Sequence, residues 1–294
     1  PPPQPTFEEM RAAGENMLSF WMAVPWAESS WCAGRLPIEN NDNGAASGGL
    51  RNYSQAACAY IDHLVDRAET AGIYLLPTIW SHGQLRDENH SWSGSPTPGD
   101  NWWWYANPYN EICTPAQFFD TRWDEVWWRY QENYYRYILA RWGYSRAVAG
   151  WGALCEVDGT NGWANGGQDR DNVMGWMTRV QDFFRENDPF RSPGASGPHP
   201  MAFSTVNNTG WSGETAFRQG LDVRCADRYN WTSGRDPDDL NIAGPIAADT
   251  LAMAEAGQPR FHGEFGGDAS YGDSQPLHLH SGIWAAAASG AAMA

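Results

Sequence analysis

Apolar and polar positions along this chain alternate between two periods. Short stretches bounded by turn-forming or polar residues read as strands: Met17 to Val24, Ile73 to Trp80, Val148 to Cys155, Met201 to Val206, Leu221 to Tyr229 and Pro259 to Gly263. Longer stretches with apolar residues three and four apart read as helices: Tyr53 to Ala71 closed by Gly72, Phe118 to Trp142, Asn172 to Asn187, Ile246 to Ala256 and the alanine-rich Leu279 to Ser289. Thr6 to Glu15 reads as a further helix, with Thr6 and Glu9 as a capping box. Strand and helix alternate strictly, and the long loops Asn40 to Leu50 and Ser81 to Thr114 each follow a strand. That pattern predicts α/β architecture on a parallel sheet, a TIM (β/α)8 barrel with its catalytic face at the strand ends. The strands number six, so a closed barrel needs one strand before Thr6 and one after Ser289. The expectation is a single catalytic barrel domain over residues 1–294 that lacks its first and last strands, a fragment of a longer chain with additional segments or domains beyond both termini.

Two of the strand patterns lead into a glutamate. Val148-Ala-Gly-Trp-Gly-Ala-Leu-Cys-Glu156 and Pro259-Arg-Phe-His-Gly-Glu264 each carry a carboxylate to the end of a buried strand, where small residues follow. An ionised carboxylate out of water is costly unless it has a partner or a chemical task. One such glutamate reads as a rim carboxylate paired with arginine. Two, about a hundred residues apart in the same context, point to the paired carboxylates that hydrolyse glycosidic bonds.

Composition sharpens this picture. The net charge is −16 and the isoelectric point near 4.7, so a phosphate backbone or an anionic membrane surface would be repelled, whereas a neutral glycan would not. Eighteen tryptophans are far more than a core of this size needs. Those in loop-like stretches, among them Trp26, Trp163 and Trp231, can stack on sugar faces, and Trp80 at the end of a strand is a further candidate. Trp123, Trp127 and Trp128, on a helical stretch, read as packing residues. All nineteen basic residues are arginine, a fact with no mechanistic use here. The five cysteines lack CxxC spacing, which removes zinc-knuckle and thioredoxin-like readings. Cys155 and Cys225 should be buried thiols, and Cys32 and Cys113 fall in loops that could be bridged. No apolar run is long enough to cross a membrane. No metal or other cofactor is called for: His278-Leu-His280 has no third ligand in view, Asp236-Pro-Asp-Asp239 is a turn that needs no ion, and neither GxGxxG nor Gly-x-Ser-x-Gly occurs.

Several segments, taken in order, resemble the cellulase-like glycoside hydrolases of clan A, close to family 5. They are Gly72-Ile-Tyr-Leu-Leu-Pro-Thr-Ile-Trp-Ser-His82-Gly-Gln84, Asn107-Pro-Tyr-Asn110, Tyr137-Ile-Leu-Ala-Arg-Trp-Gly-Tyr144-Ser, Glu156-Val-Asp-Gly, Asp227-Arg-Tyr229-Asn-Trp231, Gly263-Glu264-Phe-Gly and His280-Ser-Gly-Ile-Trp284. The resemblance implies a (β/α)8 barrel and retaining hydrolysis of a neutral β-linked glycan of glucan or mannan type. It implies Glu156 as general acid/base, Glu264 as nucleophile and Tyr229 as the tyrosine that hydrogen bonds the nucleophile. Trp231 and Trp284 become candidates for the platform at the cleavage point, and His82 for a hydroxyl contact. An oligo- or polysaccharide substrate and a secreted, extracellular enzyme go with that reading.

The chain departs from the family at three supporting positions. Cys155 stands where the family has asparagine before the acid/base, Ser19 where it usually has arginine in strand 2, and Asp227 where it has histidine near the end of strand 6. A thiol is a poor donor to the sugar 2-hydroxyl. Cys155 and Asp227 are thus candidate substrate-side positions whose chemistry has changed, and the alternative is a catalytically impaired carbohydrate-binding protein on the same barrel.

Overall fold

The computed structural model describes residues 6–22, 39, 49–87, 104, 107–191, 197–206, 221–229, 242–254, 258–266 and 275–292. Two compact units are formed, one from residues 1–155 and 159–201, the other from 156–158 and 202–294.

The first unit begins with α1 (Phe7–Ala12). Its capping box is in place: the Glu9 amide donates to Thr6 Oγ1 at 3.2 Å and the Thr6 amide to Glu9 Oε2 at 2.6 Å. Strand β1 (Met17–Trp21) runs parallel to β2 (Tyr74–Ser81), and β2 runs parallel to β3 (Trp151–Cys155), with Ser81 opposite Cys155. Helix α2 (Gln55–Ala71) ends at Gly72 in the left-handed conformation at φ 72°, as a C-terminal glycine allows without a Cβ penalty. The chain then turns directly into β2.

The helix expected from Phe118 to Trp142 is shorter. Gln117–Phe119 forms a 3-10 turn, and α3 starts only at Val126 and runs to Trp142. Asp120 breaks the pattern, because its carboxylate accepts from the Arg122 amide at 3.2 Å and from the Arg122 guanidinium at 2.9 and 2.7 Å, while its carbonyl accepts from Trp127 Nε1. An aspartate that caps its own downstream backbone competes with helix. Trp123 falls in this break and is exposed, whereas Trp128, on α3, is buried. Helices α4 (Asn161–Asn165) and α5 (Gly167–Asn187) follow β3.

The core of this unit is aromatic, and its polar atoms are matched. Gln131 on α3 donates to the Phe118 carbonyl and accepts from Tyr135 and from Trp176 Nε1 at 3.1 and 2.7 Å, and Tyr135 in turn accepts from Trp80 Nε1 at 3.1 Å. Trp80, Tyr109 and Phe118 meet edge to face, a favoured geometry for ring quadrupoles. Close packing also fixes Gly152, since a Cβ there would lie 2.3 Å from Thr78 Oγ1 on the neighbouring strand.

The second unit carries β4 (Met201–Val206), β5 (Val223–Tyr229) and β6 (Arg260–Gly266), again parallel and in sequence order. Helices α6 (Ala243–Ala254) and α7 (Gln275–Ala288) pack with them through Ile242, Ile246, Ala286 and Phe265. Helix α7 approaches β6 at Gly282, where a Cβ would lie 2.2 Å from the Phe265 ring. On β5, Arg224 and Arg228 turn toward α6: Arg224 Nη1 donates to the Met253 carbonyl, and Arg228 Nε lies 3.5 Å from Asp249 Oδ2. By strand alternation Cys225, Asp227 and Tyr229 occupy the opposite face. No helix among the described residues is long and apolar enough to cross a membrane.

Candidate active site

That opposite face of the second unit holds the carboxylates. Strands β5 and β6 pair regularly as far as Ala226 and His262, then shift by one residue, so that Asp227 stands opposite Glu264 rather than Gly263. The bulge exists because residue 263 has no side chain. A Cβ on Gly263 would lie 2.7 Å from Asp227 Oδ1 and 2.8 Å from Cys225 Sγ. One extra residue in β6 therefore brings Glu264 onto the same face as Asp227 and beside Tyr229, whose hydroxyl donates to Glu264 Oε2.

Glu156 joins this group from the segment after β3. Its backbone takes φ 55°, in the left-handed region. Its amide donates to Ser204 Oγ on β4 at 2.9 Å, and that hydroxyl donates onward to Asp227 Oδ2 at 2.5 Å. Two residues later Asp158 Oδ1 accepts from the Val206 amide at 3.0 Å, which pins the segment to the end of β4. Glu156 and Asp227 are buried, and Glu264 and Tyr229 are half-buried.

The electrostatics follow from this crowding. Burial, and then the charge of Glu264, push Asp227 well above the usual carboxylate range, against the opposing effect of the Ser204 hydrogen bond; Glu156 and Asp158 push it further the same way. Burial and the Glu264 charge likewise raise the Tyr229 hydroxyl, so it stays protonated and able to donate. Burial raises the Cys225 thiol. Paired acids with a tyrosine donor on one of them, carried on strand ends, can run acid and nucleophile chemistry at one face.

No protein-family model and no curated protein matches the sequence. Among solved structures, the chain is similar to an exo-β-1,4-mannosidase from Opitutaceae bacterium strain TAV5, at 17% identity and a TM-score of 0.64 over 98% of this chain and 46% of that one. It is similar also to the endo-β-1,4-mannanase from Thermotoga petrophila, at 14% identity and a TM-score of 0.61 over 98% of this chain and 62% of that one. A glycoside hydrolase family 5 mannosidase from Rhizomucor miehei matches at 12% identity and a TM-score of 0.53 over 87% of this chain and 61% of that one. The chain has the fold of the family 5 glycoside hydrolases. It spans roughly half to two thirds of the length of these proteins.

Within that family 5 fold the structure gathers Glu156, Asp227, Tyr229 and Glu264 in one unit. The remaining candidates are placed as follows. Cys155 ends β3 with its thiol buried, and Ser19 lies at the middle of β1 with its hydroxyl 3.5 Å from the Leu76 carbonyl oxygen. His82 opens a 3-10 turn after β2, buried, with its ring edge-on to Trp21, and it backs onto Gly159 so closely that a Cβ there would touch it at 2.9 Å. Trp163 on α4 is buried beneath the Arg170 guanidinium, 4.7 Å from its ring centroid.

One expectation needs correction. Trp80 is a core residue and not a sugar platform, because its ring packs against Tyr109, Phe118 and Tyr134 and its N–H is taken by Tyr135. Cys113 carries a thiol that contacts the Tyr109 carbonyl, and Cys32 lies outside the described residues. Trp284 sits on α7, 65% exposed and beside the His280 ring. Trp26, Trp231 and the Asp236 to Asp239 turn lie outside the described residues. Sequence reasoning missed Ser204, Asp158 and the bulge at Gly263. The one available signal was Ser204-Thr205, a polar pair inside an otherwise apolar strand.

Proposed function

We propose that the chain is the catalytic barrel of a retaining β-glycoside hydrolase acting on a neutral glucan- or mannan-type glycan. The observation that supports this best is the Tyr229 hydrogen bond to Glu264 in the unit that also holds Glu156. In this reading Glu264, ionised, attacks the anomeric carbon while Glu156, protonated, delivers its proton to the leaving oxygen. The glycosyl ester on Glu264 is then hydrolysed by water that Glu156, now the base, deprotonates. Tyr229 keeps its proton and orients the Glu264 carboxylate. The barrel has eight strands in this reading, of which the described residues contain six. β-Mannan is the favoured substrate class, because two of the similar structures are β-1,4-mannan-type hydrolases by name. In this reading the enzyme acts outside the cell, because polymeric glycans do not cross membranes.

Turnover of aryl β-mannosides and β-glucosides, with proton NMR of the first-formed sugar, tests the reading. The β-anomer should appear first; an α-anomer would mean inversion.

A second reading, a binding protein with little or no turnover, draws on Cys155, Ser19 and Asp227 in place of the family's asparagine, arginine and histidine. Cys155→Asn separates the two. Restoring an amide donor at the end of β3 should raise kcat by about tenfold, or about 1.4 kcal/mol, if the chain is an enzyme limited at this contact. Binding of the same sugars without phenol release, in both the parent and Cys155→Asn, would favour the binding protein.

A further inference from the structure

The steps above employ Glu156, Glu264 and Tyr229 and give Asp227 no task. Asp227 is nonetheless the most deeply buried acid of the group, at 1% exposure. The bulge sets it directly opposite Glu264, on a neighbouring strand about 4.8 Å away. Among the charged groups acting on it are Glu264, Glu156 and Asp158, all acidic. The two arginines of its own strand engage α6 on the other face. Like-charged carboxyls in this setting do not both ionise.

We propose that Asp227 is a positioning residue for Glu264: it stays a neutral carboxylic acid beside an ionised Glu264. The division of roles follows from the surroundings. Glu264 is half-buried and receives the Tyr229 hydroxyl, which stabilises an anion, while Asp227 is sealed from solvent. Oδ2 of Asp227 already accepts from Ser204, which leaves the proton to Oδ1, the oxygen that lies over Gly263 at the bulge. The direction in which burial and Glu264 move its ionisation agrees. Ser204 also accepts the Glu156 amide, so Asp227 is tied to the backbone of one glutamate and to the charge of the other. The consequence for catalysis rests on the glycoside hydrolase reading; the protonation does not.

Infrared difference spectra of the wild-type chain against Asp227→Asn at pH 7 provide the test. A neutral-carboxyl C=O stretch present in the parent and absent from the variant is expected, and a pair of carboxylate bands in its place would overturn the proposal. Ser204→Ala should move the same C=O band to higher frequency by removing its donor, and it supplies the reading should Asp227→Asn fail to fold; no movement would count against the proposal. In the pH profile of kcat/KM, Asp227→Asn should leave the acid limb within about 0.3 unit, whereas loss of an ionised neighbour would lower it by roughly one unit or more. A band without any hydrolysis sinks the glycosidase reading alone. Hydrolysis without the band sinks this inference alone.

Discussion

Glu264→Gln should abolish turnover while leaving the fold and sugar binding in place. The amide has nearly the same outline and can still accept from Tyr229 through its oxygen, but it cannot attack the anomeric carbon. A fall in kcat of about 10⁴-fold or more is expected, about 5.4 kcal/mol of transition-state stabilisation. Steady-state assay with an aryl β-mannoside, beside a thermal melt and a sugar-binding isotherm on the same preparation, measures it. Retention of more than about a tenth of the parent rate would mean that Glu264 is not the nucleophile. A melt lowered by many degrees would instead implicate the β5–β6 bulge.

Glu156→Ala should divide substrates by their leaving groups. General-acid help is worth about 10²- to 10⁴-fold where the departing alcohol is poor and little where it leaves unaided, as dinitrophenolate does. The first step on the activated substrate should survive, and the second, which needs Glu156 as base, should become limiting. A burst of phenol equal to the enzyme concentration, followed by slow turnover, is the expected trace in stopped flow. Equal losses on good and poor leaving groups, with no burst, would remove Glu156 from the acid/base role. The variant adds no backbone strain, because alanine carries the same Cβ at φ 55° that glutamate does.

What the sequence made legible was set by short-range physics. Thr6 and Glu9 cap α1, Gly72 ends α2, and Met201–Val206 is the strand its apolar run announces, because each depends on residues within a few positions of one another. The break at Asp120 was hidden, since an Asx turn and an ion pair two residues apart overrode the helical period that continues into α3. Glu156, Tyr229 and Glu264 were singled out from strand-end context and resemblance, and they fall in one unit. Ser204 and the opposition of Asp227 to Glu264 were not, because they depend on a one-residue shift in register between two strands, which no period along either strand records. Trp80 misled for a related reason: a tryptophan near a strand end is compatible with a rim or a core, and only Tyr135, fifty-five residues away, decides between them.

The left-handed backbone of Glu156 also bears on how such a chain changes over generations. A residue with a Cβ at φ 55° costs roughly 1 kcal/mol relative to glycine, so a lineage retained only for folding or for holding sugar would gain stability by drifting to glycine or asparagine there. On the glycoside hydrolase reading, a glutamate kept on that backbone is paid for continuously and is expected to persist while hydrolysis is under selection. Position 156 then becomes a marker that can be read in any sister sequence without an assay: glycine at the turn identifies a lineage that has lost the acid/base carboxyl.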